Sequence, residues 1–154
     1  MDYSEITDYL YIGTTPQRED YDLLRDLGVR LVINMRVERP PLVDTHHKPM
    51  KTLWLPTFDS PLIPIPMRAL RKGVESALQT IEEGGKVYTH CAAGAHRGVA
   101  MGSAILIARG YSAEEAMDLI AARRSQADAR IWYIRRRIAR FAESWNHRQE
   151  QHIP

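Results

Sequence analysis

Gly85-Lys86-Val87-Tyr88-Thr89-His90-Cys91-Ala92-Ala93-Gly94-Ala95-His96-Arg97-Gly98-Val99-Ala100-Met101-Gly102-Ser103-Ala104-Ile105-Leu106-Ile107-Ala108 is the stretch that decides the fold. Its first part, through His90, has the β-branched and aromatic content of a buried strand, and its last part is small and apolar, fit for a buried helix. Cys91 therefore stands where a strand ends and a helix begins. The first N–H groups of a helix lack internal partners and its dipole is positive there, so an anion is stabilised at that point, and a thiolate is one. With Arg97 six residues on, residues Ala92 to Arg97 can curl so that backbone N–H groups point inward while the guanidinium forks onto two oxygens of a tetrahedral anion. Gly94 suits the middle of such a loop, where a tight anion-binding turn needs positive φ or close backbone approach.

Outward from this centre the chain alternates strand and helix with no repeat, linker or low-complexity tract, so residues 1–154 are expected to form a single domain. Tyr9 to Gly13 reads as the first strand. Thr15 as N-cap and Pro16 at the first helical position open a helix through Leu23, Leu24 and Leu27 that Gly28 stops. Val29 to Asn34 is a strand, Arg36 to Met50 an exposed proline-rich loop, and Thr52 to Leu55 another strand. A helix from near Pro66 puts Leu70, Val74, Leu78 and Ile81 on one face and ends at Gly84-Gly85. Beyond Gly110, Ser112 and Glu115 make a capping box for a helix from Ala113 to Arg123. A last helix is expected from about Asp128 to His147, burying Ile131, Ile134, Ile138, Phe141 and Trp145 and leaving Arg130, Arg136, Arg137, Arg140 and Arg148 mostly outside. Strands separated by helices imply an α/β fold, a parallel-type central sheet of four to five strands flanked by helices on both faces, with ligands at the carboxyl ends of the strands.

The loop resembles the active-site signature of the protein tyrosine and dual-specificity phosphatase superfamily, which is His-Cys, five residues, then Arg. His90, Cys91, Gly94 and Arg97 match it, and the likeness follows family order through Tyr9-Leu10-Tyr11-Ile12-Gly13, Leu31-Val32-Ile33-Asn34, the Asp59 loop and the signature. The resemblance implies a compact dual-specificity-like phosphatase working through a cysteinyl-phosphate, with no metal and no cofactor. It makes Cys91 the nucleophile, Ala92, Ala93, Gly94, Ala95, His96 and Arg97 the phosphate-binding loop, and His90 a support that orients the loop. Compact members carry a general acid on a loop about thirty residues before the cysteine, and Asp59, in Trp54-Leu55-Pro56-Thr57-Phe58-Asp59-Ser60-Pro61, stands there. A turn-forming or capping role beside Pro61 is the plainer alternative for Asp59, and Asp44 is the reserve acid. At one position the pattern departs: the family follows its arginine with Ser or Thr, whose hydroxyl assists departure of the sulfur, and here that position is Gly98. A histidine beside the arginine also occurs in inositol-phosphate-cleaving relatives, but their basic residues are replaced by Ala92, Ala93 and Ala95. Carried over more loosely, Arg123 or Arg124 faces the site, with Gln126 as an available amide.

The substrate expected is a phosphorylated protein or a small phosphomonoester. Phosphotyrosine leads, with phosphoserine and phosphothreonine admitted by a shallow pocket, since the insertions that deepen the pocket of tyrosine-specific relatives are absent. Phosphoinositides, inositol phosphates and RNA 5′ phosphates are the alternative. A non-catalytic phosphate-binding module and a sulfurtransferase rank below them. At 154 residues and 44% hydrophobic composition the chain can bury about 70% of its unfolded surface. Its formal net charge of +2 does not suggest nucleic acid, and the arginines of the last helix read as a solvated face. No apolar run reaches the length of a membrane span, the polar start is no signal peptide, and the lone cysteine fits a reducing, cytoplasmic setting. The adjacent His46-His47 pair lacks ligand partners at zinc spacing, so no metal is expected there. Oligomeric state is left open.

Overall fold

Val87, Leu31, Ile33 and Met35 fall in one apolar cluster and Tyr88, Val32 and Val29 in another, which is what a pleated sheet buried on both faces demands. In the computed structural model, which describes residues 1–46 and 49–151, these residues lie on five strands: β1 Tyr3–Thr7, β2 Leu10–Gly13, β3 Val29–Arg36, β4 Lys51–Thr57 and β5 Lys86–His90. The order is β1-β2-β5-β3-β4. β2, β5, β3 and β4 are parallel, and β1 pairs antiparallel to β2 at the edge. The sheet is therefore mixed. The leading strand β1 escapes sequence reading because an edge strand with only Ile6 buried carries no alternation to detect.

The helices are α1 Asp20–Asp26, α2 Met67–Glu82, α3 Arg97–Ala108, α4 Ala113–Arg123 and α5 Trp132–Glu150. One face of the sheet packs on α1 through Tyr21 and Leu24, with Tyr11, Val32 and Tyr88 below them. The other face carries α2 to α5 and the larger core, including Leu70, Val74, Ile134, Ile138 and Phe141. Each such buried Leu, Ile or Phe contributes roughly 1.5–3 kcal/mol. α3 is buried from Arg97 through Ile107, which is why its sequence is apolar on every side. The capping box of Ser112 and Glu115 forms as expected. No helix of the described residues is long and apolar enough to cross a membrane.

Two helix starts and the exposure of one loop differ from the sequence reading. Thr15 does not cap α1, which starts five residues later after Glu19; its hydroxyl donates instead to the Cys91 carbonyl at 3.3 Å and accepts from Arg36 at 2.8 Å. α5 starts at Trp132 rather than Asp128, because the Asp128 N–H is drawn to the Ala95 carbonyl at 2.9 Å and the chain stays extended at Ile131. Residues 37–46 and 49–50 lack regular structure, as expected, but they are not wholly exposed. The Asp44 side chain and Met50 are buried there, and Glu38 reaches the site.

Candidate active site

β5 ends at His90 in the middle of the sheet, flanked by β2 and β3, so Cys91 emerges at the carboxyl end of a central strand, 4% exposed. The loop from Cys91 to His96 then runs into α3. Four of its carbonyls are engaged from outside the loop. Cys91 O accepts from Thr15, Ala93 O and Gly94 O accept from the Arg124 guanidinium at 3.1 and 2.8 Å, and Ala95 O accepts from the Asp128 N–H. With these four carbonyls held outward, no N–H from Ala92 through Arg97 has an acceptor among the described residues. Such a run of unspent donors at a helix start is an anion-binding nest. Gly94 makes the turn with φ +64, and a Cβ there would fall 2.7 Å from Arg124 Nη2 and 2.8 Å from the Gly13 carbonyl carbon. Both conformation and space demand glycine.

Arg97 is buried beside this nest and is already half spent. Nη1 donates to Glu38 Oε1 and to the Thr57 carbonyl at 2.8 Å each, and Nη2 donates to Glu38 Oε2 at 3.1 Å. Nε is buried with no partner. The protons left over, Nε–H and one of Nη2, lie along one edge of the guanidinium and form a ready fork for two oxygens. The hydrogen bond from Arg97 outweighs the opposing effect of burial and holds the Glu38 carboxyl down at about 2, so the pair is ionised at neutral pH.

Asp59 follows β4 and is brought to His96, the last residue before α3. One carboxylate oxygen lies 2.9 Å from His96 Nδ1, and the other accepts from the Tyr133 hydroxyl at 2.6 Å. Tyr133 stands in the first turn of α5 and also lies 3.3 Å from His96 Nδ1. Partial burial would raise the Asp59 pKa, but the donors Tyr133 and His96, with the charge of Arg97, outweigh it and hold the carboxyl below its ordinary value. Burial and the bond to Asp59 push the Tyr133 hydroxyl up to about 12, so it remains a donor. Asp59 neither caps nor turns a helix here, since α2 begins after Pro66.

The remaining sequence candidates fall into place around this centre. His90 is buried, and desolvation takes it down to about 4, so it is neutral, with Nδ1 unpartnered. Gly98 sits in the first turn of α3, where its carbonyl accepts from Thr89 at 2.8 Å. Asp44 is engaged elsewhere: it is buried against Arg25 and His46 and accepts from the Met50 N–H at 2.7 Å, and its carboxyl is held well below the usual range by these donors despite burial. Arg123 is exposed, whereas Arg124 lies beneath the loop, binding its carbonyls and Asp2 rather than facing an anion. Gln126 donates to Asp2 at 2.8 Å. His46 pairs with Asp44 and Asp22, His47 lies outside the described residues, and among the described residues no group of three or more His, Cys, Asp and Glu could hold a metal.

Glu38, Tyr133 and Thr15 belong to this site but were not found in the sequence. Glu38 sits in a charged, proline-rich run that looks solvated, and Tyr133 lies beside a core stripe. The Thr15-Pro16 pair gives a stronger local signal as a cap.

The geometry agrees with the comparisons. The family model for the dual specificity phosphatase catalytic domain matches residues 10–139. A variant of human DUSP28 superposes with a TM-score of 0.85 at 19% identity, over 96% of this chain and 99% of that one, a likeness of fold alone. PTPMT1 is 27% identical with a TM-score of 0.82, over 98% of this chain and 100% of that one. A structure of PTPMT1 in complex with PI(5)P gives 28% identity and a TM-score of 0.80, over 96% and 98%. No curated protein sequence matches the chain. With its signature loop at the end of a central parallel strand and the family match spanning most of its length, this chain belongs to the dual specificity phosphatase catalytic-domain family.

Proposed function

We propose that the chain hydrolyses phosphotyrosine in proteins, and phosphoserine and phosphothreonine as well, through a cysteinyl-phosphate. The observation that carries this reading is the nest around Cys91, where every loop carbonyl named above is tied outward and the N–H groups stay free. Three phosphoryl oxygens would take those N–H groups and the open edge of Arg97, and the same donors hold the greater charge of the transition state. Cys91 Sγ, as thiolate, attacks phosphorus while the bond to the leaving oxygen breaks, and Asp59 gives that oxygen its proton. Water then attacks phosphorus, Asp59 takes a proton from it, and the thiolate departs with release of phosphate.

Asp59 is ionised at neutral pH in the arrangement described, so it must gain a proton before acting as acid. A bound phosphate dianion supplies the reason. Placed beside the carboxylate, its negative charge disfavours a second anion and raises the proton affinity of Asp59. A second reading, hydrolysis of a phosphoinositide, is favoured by the 28% identity to the PTPMT1 structure holding PI(5)P. Against it, the positions available for further cations in the loop are Ala92, Ala93 and Ala95. Steady-state turnover of phosphotyrosyl, phosphoseryl and phosphothreonyl peptides beside phosphatidylinositol 5-phosphate vesicles decides between them. Peptide kcat/KM well above that for the vesicles supports the first reading; the reverse order overturns it.

A further inference from the structure

The arginines on and before α5 are not one solvated face. Arg130 donates to Glu114 at 2.9 Å and Asp118 at 2.7 Å, and Arg135 reaches Glu114 at 3.4 Å, so these two are neutralised by α4. Arg136 and Arg137 meet no carboxylate among the described residues. Arg136 lies over the exposed Trp132 ring, 5.9 Å from its centroid, and Arg137 Nε donates to the Ile65 carbonyl at 2.9 Å. Burial and the like charge of Arg140 both push the Arg137 guanidinium down, as where cations gather with no anion between them. The two arginines line a cleft of about 280 Å³ with Trp132, Tyr133, Pro61 and Pro64.

The cleft adjoins the chemistry. Tyr133, one of its walls, holds the Asp59 carboxylate at 2.6 Å, and Pro61 is two residues beyond Asp59. An acid that protonates the leaving oxygen must touch that oxygen, so the body of the leaving group lies on the Asp59 side of the phosphate. Tyr133 joins Asp59 to this cleft, which is apolar on its proline and tryptophan walls and carries Arg136 and Arg137.

We propose that the cleft between the Asp59 loop and the start of α5 is a substrate subsite that selects phosphopeptides with acidic residues beside the phosphorylated one, Arg136 being the charge that reads them. The inference rests on the protein-phosphatase reading above. The apolar walls receive the aliphatic stem of a Glu or Asp side chain, and Arg136 meets its carboxylate at the exposed rim. Because that pair is partly solvated, it sets preference and salt dependence rather than the chemistry.

The test uses three phosphotyrosyl peptides identical except that the flanking residues are Glu and Asp, Gln and Asn, or Lys. The protein as it stands should favour the acidic peptide over the amide peptide through KM, by about two- to fivefold as exposed ion pairs allow, and the preference should shrink as salt is raised. Arg136→Glu should abolish or invert the ratio, whereas Arg130→Glu, whose arginine is occupied by α4, should keep it. Ratios within one variant cancel any general loss of folded enzyme. If the peptides are turned over without an acidic preference, or the preference survives Arg136→Glu, the subsite is wrong while the protein-phosphatase reading stands. If no peptide is turned over and phosphatidylinositol 5-phosphate vesicles are, that reading fails and the subsite falls with it.

Discussion

Replacing Gly98 separates two effects that its position combines. The family resemblance implies that a hydroxyl here assists departure of the Cys91 sulfur, so its absence predicts slow breakdown of the phosphoenzyme. A Cβ at Gly98, however, would fall 3.1 Å from His90 Cα, 3.2 Å from Cys91 N and 3.2 Å from His90 C. These are backbone atoms of the strand end that carries the nucleophile, and they must yield by a few tenths of an ångström. Overpacking of this kind costs about 1–3 kcal/mol, while exchanging Gly for Ala inside a helix returns about 0.8–1.0 kcal/mol. Gly98→Ala should therefore lose up to about 2 kcal/mol, read as a fall in Tm of up to about 8 °C at this chain length. Gly98→Ser adds the same Cβ and also the hydroxyl, so the comparison of Ser with Ala isolates the hydroxyl. Rapid mixing with 4-nitrophenyl phosphate should show a stoichiometric burst in the parent protein, followed by a slower steady state. One neutral hydrogen bond contributes about 0.5–1.5 kcal/mol, so the Ser variant should exceed the Ala variant in steady-state rate by at most about tenfold, with similar burst rates. No burst in the parent, together with equal steady-state rates in the Ser and Ala variants, refutes the reasoning and points to another group, His96 first, at the leaving sulfur.

The other perturbations act on the chemistry directly. Cys91→Ser should lower aryl phosphate turnover by more than about a hundredfold, since a serine alkoxide is not accessible near neutral pH; a variant retaining more would remove the covalent route. Asp59→Asn should cost about 10²–10⁴ in rate on tyrosyl or seryl phosphates and far less on 4-nitrophenyl phosphate, whose leaving group needs no proton, so equal losses across leaving groups would mark Asp59 as structural. Tyr133→Phe removes a donor that favours the ionised form of Asp59. The Asp59 pKa should therefore rise, and the alkaline limb of kcat/KM, which marks loss of the protonated acid, should move to higher pH. The titratable and charged groups that remain near Asp59 are His96, Arg97 and Asp128; a limb that stays or moves down in the pH profile contradicts the clamp.

What could be read from the sequence alone was what neighbours along the chain decide. The order of strands and helices around Cys91, the buried character of α3, the need for glycine at position 94 and the Ser112 capping box all depend on residues within a turn or two of one another. Local periodicity, cap chemistry and turn sterics act at that range. The resemblance to a known signature added Asp59, whose spacing from Cys91 no local rule supplies.

Only the tertiary structure decided which distant polar groups meet. Arg97 is pinned by Glu38, Asp59 by Tyr133, and the loop carbonyls by Arg124, pairs separated in sequence by 59, 74 and 30 residues. Charged side chains in a sequence look alike whether solvated or paired, because their partners are chosen by the path of the chain and not by spacing. The same reason divided the arginines of α5 into those that α4 neutralises and those left open beside the acid loop. Thr15 shows the competition within a single residue: its hydroxyl, marked by the sequence for a helix start, is engaged by the Cys91 carbonyl and Arg36, and the helix begins without it.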